Sequence, residues 1–309
     1  MTVTACLVGF FCSAQTVHYE VLENEPDRKN FWVHLNPFNA QCYMANISIG
    51  YDLQATMLLG NRFQAEIDYR KAYLDANAGS IYAPKDLTKA FQLQAGGAFN
   101  FTNRLRDISN KVVLKSRKSG NYTYTTYISV IAKARRINSL RGGFVNFYNN
   151  LEAKNDIKAK DKNGVVDYIK DDINFETIHY TANSTGLYGG LDFKSIRDIV
   201  IYADGYGKKS NRTVNNFYLD ALFTPLVVYT IRPNASQVMY KDHDLNISEN
   251  KRKTLGWRFG WQYYINRTVG FNAKMEFGQQ PGPPKDSFFM TLGFGMTIGT
   301  KIAFMKKQA

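Results

Sequence analysis

Charged side chains at alternate positions are the groups best placed to do chemistry in this sequence. Glu66, Asp68 and Arg70 stand two apart, Lys274 and Glu276 do the same, and Lys133, Arg135, Asp192, Asp204, Asp220 and Arg258 occupy equivalent polar positions of other alternating segments. Side chains two apart on a β-strand share a face, so each set would project together into one environment. Acids and bases gathered there can lock one another into an ion-pair lattice or line a path for ions, the lattice being the commoner outcome. Catalytic signatures are sparse. His18, His34, His179 and His243 form no HExxH and no i, i+4 pair, and neither a GxSxG elbow nor a phosphate-binding loop occurs. We therefore expect no catalytic residue, no metal site and no cofactor.

The elements that must carry these charges are long strands with period-2 alternation. From Leu255, one face reads Leu255, Trp257, Phe259, Trp261, Tyr263 and Ile265, the other Gly256, Arg258, Gly260, Gln262 and Tyr264. Past 266–268, Val269, Phe271, Ala273, Met275 and Phe277 oppose Gly270, Asn272, Lys274, Glu276 and Gly278, and Phe288 to Phe304 repeat the scheme with Phe294 among the apolar set. Near the start, Tyr51 belongs to such a stripe, as do Phe63 and Phe99 in the next two segments. A greasy face opposite glycine, amide and charge is inverted for a soluble sandwich. It suits a closed sheet in lipid, where every backbone group must be paired and side chains alternate between hydrocarbon and lumen.

The expected fold is therefore all-β, a transmembrane antiparallel up-and-down β-barrel. Short links near 59–62, 102–108, 137–141, 194–198, 232–235 and 266–268 would be tight turns on one side, and 75–88, 149–184, 241–252 and 279–286 long loops on the other. This spacing predicts about fourteen strands, at 28–37, 41–58, 62–74, 88–102, 109–118, 121–136, 141–149, 184–193, 198–207, 212–231, 235–244, 253–265, 268–279 and 286–304. Loss of the piece with Pro37 and of the short pieces at 109–118 and 235–244 would leave as few as ten. Tyr51, Phe63, Phe99, Trp257, Phe259, Trp261, Phe271, Phe277, Phe294 and Phe304 are the expected lipid-facing aromatics.

The wider composition agrees. Forty-one Tyr and Phe residues in 309 exclude a disordered chain, and three cysteines exclude a disulfide scaffold. Residues 1–14 read as a signal peptide, small residues Ser13 and Ala14 preceding a cleavage point. Only Cys42 would remain after cleavage. Residues 15–40 then form an N-terminal segment with a possible first strand, 41–304 the barrel, and 305–309 a tail.

The signal-like start, the alternating strands and a last strand ending in aromatic Phe304 resemble Gram-negative outer-membrane β-barrels, and a mature chain starting at Gln15 is similar to secreted proteins of the Bacteroidota. The resemblance covers 41–304 and is architectural. It implies residence in the outer membrane among its lipids, with the short turns and tail in the periplasm. The net charge of +13 would then gather on one rim, through Arg62, Arg104, Arg106, Arg136, Arg141, Arg197 and Arg267, to meet anionic lipid heads or an acidic envelope protein. Nucleic acid is not an expected partner. Inward-facing Lys133 and Arg135 would bias the lumen toward anions. His179 to Ser184 is faintly similar to the His/Ser/Asn surface of outer-membrane phospholipases, a cluster expected in a loop. The expected function is a non-enzymatic structural or accessory subunit of an envelope, secretion or surface assembly, with a passive small-solute pore and, less favoured, a lipid-modifying enzyme as alternatives.

Overall fold

The structure is a computed structural model that describes residues 17–43, 46–76, 89–153, 158–160, 166–168, 178–232, 244–246, 253–282 and 288–302. The elements in chain order are β1 (Tyr19–Asn24), β2 (Phe31–Tyr43), β3 (Asn46–Leu59), β4 (Phe63–Asp75), β5 (Phe91–Ser119), β6 (Tyr122–Ala153), β7 (Lys158–Lys160), β8 (Val166–Tyr168), β9 (Ile178–Ala203), β10 (Gly207–Arg232), β11 (Asp244–Asn246), β12 (Leu255–Ile265), β13 (Val269–Gln279) and β14 (Phe288–Thr300). Strands β9, β10, β12, β13, β14, β2, β3, β4, β5 and β6 pair antiparallel in that order, and β6 returns to β9, closing a barrel of ten strands. Closure removes the sheet edges that hydrocarbon would leave unpaired. Strand β1 pairs with the far end of β9 outside this ring, and β7, β8 and β11 form a small separate sheet.

Ten wall strands correct the expectation of about fourteen and fall at the lower end of the expected range. Pieces 88–102 and 109–118 are one strand, β5, while 121–136 and 141–149 are β6, and 184–193 joins most of 198–207 in β9. The links expected at 102–108, 137–141 and 194–198 are therefore not turns. Their charges mimic turn composition because some point into a closed interior and others lie on strand that has run past the barrel. The piece at 235–244 falls almost wholly outside the described residues. Pro37 does not eliminate the first strand. The pairing of β2 with β3 slips between Asn36 and Asn39, so the proline sits where no ladder N–H is needed. That wall strand starts the barrel at Phe31, ten residues before the boundary expected at 41.

Turns at 60–62 and 266–268 lie on the side where β2 begins and β14 ends, as expected. On this short-turn side two hairpins outrun the others. The β5–β6 hairpin ends at Gly120, whose φ of 60° suits a two-residue turn between right-twisted strands. The second is the end of β9–β10. Leu187, Leu191 and Phe193 are exposed outward on β9, yet Ile199, Ile201 and Ala203, which continue the same alternation, are fully buried. They form one apolar cluster with Val112, Leu114, Val130 and Ala132 of the β5–β6 hairpin, with Val17 and Tyr19 packed alongside. The apolar stripe, exposed along the barrel wall, is therefore covered by protein where the hairpin folds across it.

Candidate functional site

The interior is built in layers. Toward the short-turn end, Trp32, Leu58, Ile137, Ile196, Val214 and Tyr264 point inward from six different wall strands and bury one another. Trp32 and Tyr264 meet at 5.8 Å between ring centres, and the Trp32 indole N–H donates to Asn266 at 3.2 Å. His34 closes the same level against Tyr264 and Thr297. An ion crossing here would shed its hydration against hydrocarbon, a cost of several kcal/mol or more.

The charged layer lies beyond. Lys274 reaches Asp68 at 2.5 Å and Asp52 at 3.3 Å, and Arg70 contacts Asp68 at 2.8 Å and pairs with Glu276. On a ring of ten, β4 and β13 stand four places apart, so the Arg70–Glu276 pair spans the lumen instead of running along its wall. Gln262 on β12 donates to Gln54 on β3 at 2.8 Å over the same distance around the ring. Arg258 pairs with Asp220 at 2.6 Å, and Arg141 joins Asp220 at 3.6 Å to Glu66. The Tyr218 hydroxyl donates to Glu276 and the Tyr188 hydroxyl to Glu66, while Lys194 donates to Gln64 at 2.5 Å. Arg141 lies 4.2 Å over the Tyr218 ring, a cation–π contact between two buried groups. At the far end Val145, Phe147, Tyr188 and Leu222 form a second apolar group. A void of about 10 Å³ bordered by Asn39, Arg70 and Gln92 leaves space for about one water.

A strap closes the short-turn mouth. Residues 25–30 cross from β1, beside β9, to β2 five places around the ring. Hydrogen bonds of 3.1 Å from Glu25 N–H to the Asp198 carbonyl and 3.2 Å from Asn30 N–H to the Thr300 carbonyl fix the two ends. Arg135 donates to Asp27 in the strap, to Asn103 on β5 and to Asn61 in the β3–β4 turn. Lys29 is buried under it, and burial lowers its ammonium to about 8 against the opposing pull of the Asp198 carboxylate.

The residues singled out in the sequence fall into three groups. Glu66, Asp68, Arg70, Asp192, Asp220, Arg258, Lys274 and Glu276 all face the interior, together with Arg135 at the mouth. Lys133 does not. It shares the parity of Arg135 but lies farther out on the hairpin and is exposed, because the barrel has ended by that level. Asp204 likewise sits exposed in the β9–β10 turn. Among the rim arginines, Arg62, Arg104, Arg106, Arg136 and Arg267 are exposed on the short-turn side, Arg197 is half-buried, and Arg141 is an interior residue. Among the described residues the buried and nearly buried charges are seven bases, Lys29, Arg70, Arg135, Arg141, Lys194, Arg258 and Lys274, against eight acids, Asp52, Glu66, Asp68, Asp75, Asp192, Asp198, Asp220 and Glu276. That balance removes the expected excess of positive charge.

Of the aromatics expected in lipid, Tyr51, Phe63, Phe99, Trp257, Phe271 and Phe294 are exposed outward. Phe259, Trp261 and Phe277 face the same way and are half-covered by ring neighbours, Phe259 and Phe277 lying 5.2 Å apart. Phe304 lies outside the described residues, as do residues 1–14 and 305–309. His179 and Ser184 lie on strand β9, not in a loop. No group of His, Cys, Asp and Glu among the described residues could hold a metal ion.

Sequence reasoning missed Asp52, Arg141 and Lys194 as lumen charges, and Tyr188 and Tyr218 as the hydroxyls that bridge them. Asp52 was open to recognition, since it alternates with Gln54 on the polar face of its strand. Arg141 and Lys194 sat in stretches read as turns.

No known family model matches this chain, and no curated protein does. Among solved structures it is similar to OprB of Pseudomonas putida at 8% identity over 82% of this chain, spanning only 59% of that one, with a TM-score of 0.20. It is also similar to OmpT, an outer membrane protein of Vibrio cholerae, at 8% identity, 91% and 99% coverage and TM-score 0.18. A mutant porin of Rh. blastica matches at 9% identity, 87% and 99% coverage and TM-score 0.16. Superpositions this loose carry no argument, so the barrel rests on its own strand pairing and the greasy outer face on its own exposures.

Proposed function

We infer that this chain is an integral outer-membrane β-barrel acting as a structural or accessory subunit of an envelope assembly, with its short turns in the periplasm and no enzymatic step of its own. The observation that carries this reading is the inward apolar layer of Trp32, Leu58, Ile137, Ile196, Val214 and Tyr264, backed by ion pairs that span the lumen. A selective pore needs a continuous polar path, and here the apolar layer interrupts it. The anion-biased pore is also disfavoured because the buried bases do not outnumber the buried acids. What the barrel presents instead is the β5–β6 hairpin. Its far end exposes Lys115, Arg117, Lys118, Tyr122 and Tyr124, a mixture of cations and amphipathic rings suited to contact with an acidic partner in the envelope.

Mild-detergent extracts of the native outer membrane should show this protein, on blue-native gels, in a species larger than the lone barrel. Replacing 115–126 by a short turn should return it to the size of the barrel, with its heat-modifiable migration intact. Absence from the outer-membrane fraction, or a full-length protein that runs alone, would refute the accessory role.

A further inference from the structure

Where the β5–β6 hairpin crosses the outside of β10 and approaches the β12–β13 turn, it leaves a recess of about 310 Å³. That is room for on the order of ten waters, enough for a headgroup and larger than a single ion needs. The hairpin contributes Lys111 and the turn contributes Arg267, both exposed, and among the described residues neither pairs with an acid. Ser210 and Thr213 line the floor between them, and Arg267 donates to the Ser210 hydroxyl at 3.0 Å. The two sides are fixed relative to one another, because the Asn211 amide on β10 donates to the Lys111 carbonyl at 3.0 Å. The Lys111 ammonium itself lies 4.7 Å over the Tyr127 ring of β6, at the edge of the recess.

One wall of the recess is apolar and continuous with the lipid-facing stripe. Tyr263 and Ile265 line it, and Tyr263 stacks with Trp261 at 6.3 Å on the same outward face of β12. Cations and hydroxyls at the level of the turn, with a greasy track leading from them along the barrel wall, match the two halves of one amphiphile. An inorganic anion would use the first half only, and a detergent-like tail the second only.

We propose that this recess binds a phospholipid of the periplasmic leaflet, its anionic headgroup between Lys111 and Arg267 and an acyl chain along Tyr263 and Ile265. The proposal rests on the outer-membrane reading above. The bound lipid also has a structural consequence. It fills the gap between hairpin and wall, so it braces the hairpin at the angle at which its far end is presented.

The test is lipid titration of the full-length barrel in dodecyl maltoside, followed by native mass spectrometry with dioleoyl-phosphatidylglycerol or dioleoyl-phosphatidylcholine as the probe. Phosphatidylglycerol should bind as a discrete first equivalent in preference to phosphatidylcholine. The double substitution Lys111→Gln and Arg267→Gln should weaken that equivalent by about thirtyfold, on the scale expected for two cations near an anionic headgroup. The matched pair Lys133→Gln and Lys301→Gln, exposed cations outside the recess, should leave it unchanged. Equal weakening by both pairs, or no preference between the lipids, would overturn the site. So would displacement of the lipid by inorganic phosphate with no contribution from chain length, which would assign the recess to free phosphate. Each variant is checked for heat-modifiable migration and for insertion into vesicles. A barrel that never inserts defeats the outer-membrane reading itself, whereas one that inserts and ignores the headgroup defeats only the lipid site.

Discussion

Substituting Glu276→Gln should lower the stability of the folded barrel by about 3–5 kcal/mol, the range for removing one partner of a buried ion pair. Glu276 is the hub of the lumen: it pairs with Arg70, accepts from the Tyr218 hydroxyl and stands 3.7 Å from Arg258 and 3.9 Å from Lys274. An amide of the same size keeps the packing and withdraws the charge. Three cations are left in a buried interior with less compensation, and the amide offers its N–H₂ toward guanidinium and ammonium donors that cannot accept it. Urea unfolding in phospholipid vesicles, read by tryptophan fluorescence, measures the loss. An unchanged midpoint would mean that the charged layer is solvated and contributes little, which is incompatible with a filled barrel.

Gly260→Ala should be nearly as damaging for a different reason. A Cβ at this position would lie 2.1 Å from Cζ of Tyr218 and 2.5 Å from its hydroxyl oxygen, so the ring must leave. The ring is held on its other side by Arg141 at 4.2 Å and at its tip by Glu276. One added methyl thus disturbs both the packing and the hub, and the expected cost is about 3 kcal/mol, the upper part of the usual overpacking range. In a Tyr218→Ala background the same glycine substitution should cost less than about 1 kcal/mol, since the clash has gone and the coupling with it. Additive effects in the double variant would contradict this account of the contact.

The outer face of the barrel was legible in the sequence and the partners of its inner face were not. Leu255–Ile265 was readable apart from its start, expected at 253, because Trp257, Phe259 and Trp261 alternate with Arg258, Gly260 and Gln262 without interruption. Glu66, Asp68 and Arg70 could be placed inside by the same parity. Which base meets which acid could not. Arg70 and Glu276 are about two hundred residues apart in sequence, and only closure of the ring brings β4 to face β13.

Strand number was misjudged for a physical reason. A turn and a charged lumen both demand polar residues, so Arg141 and Lys194, inside the barrel, read like loops. The outer stripe hid a similar ambiguity. Ile199 and Ile201 look like lipid-facing residues, and hydropathy alone cannot distinguish cover by hydrocarbon from cover by Val112 and Val130 of a folded-back hairpin. The inward layer of Ile137, Ile196 and Val214 broke the expected rule that the lumen is polar, and with it went the best clue that the barrel is stoppered.

Among the described residues the lumen is closed by its own side chains. Planar-bilayer recording of the purified full-length protein tests this most directly. With insertion confirmed by heat-modifiable migration, no discrete conductance steps should appear in molar potassium chloride. Stable ohmic steps from the same preparation would contradict the account, since ions cannot pass steadily through the layer of Trp32, Leu58, Ile137, Ile196, Val214 and Tyr264 as it stands.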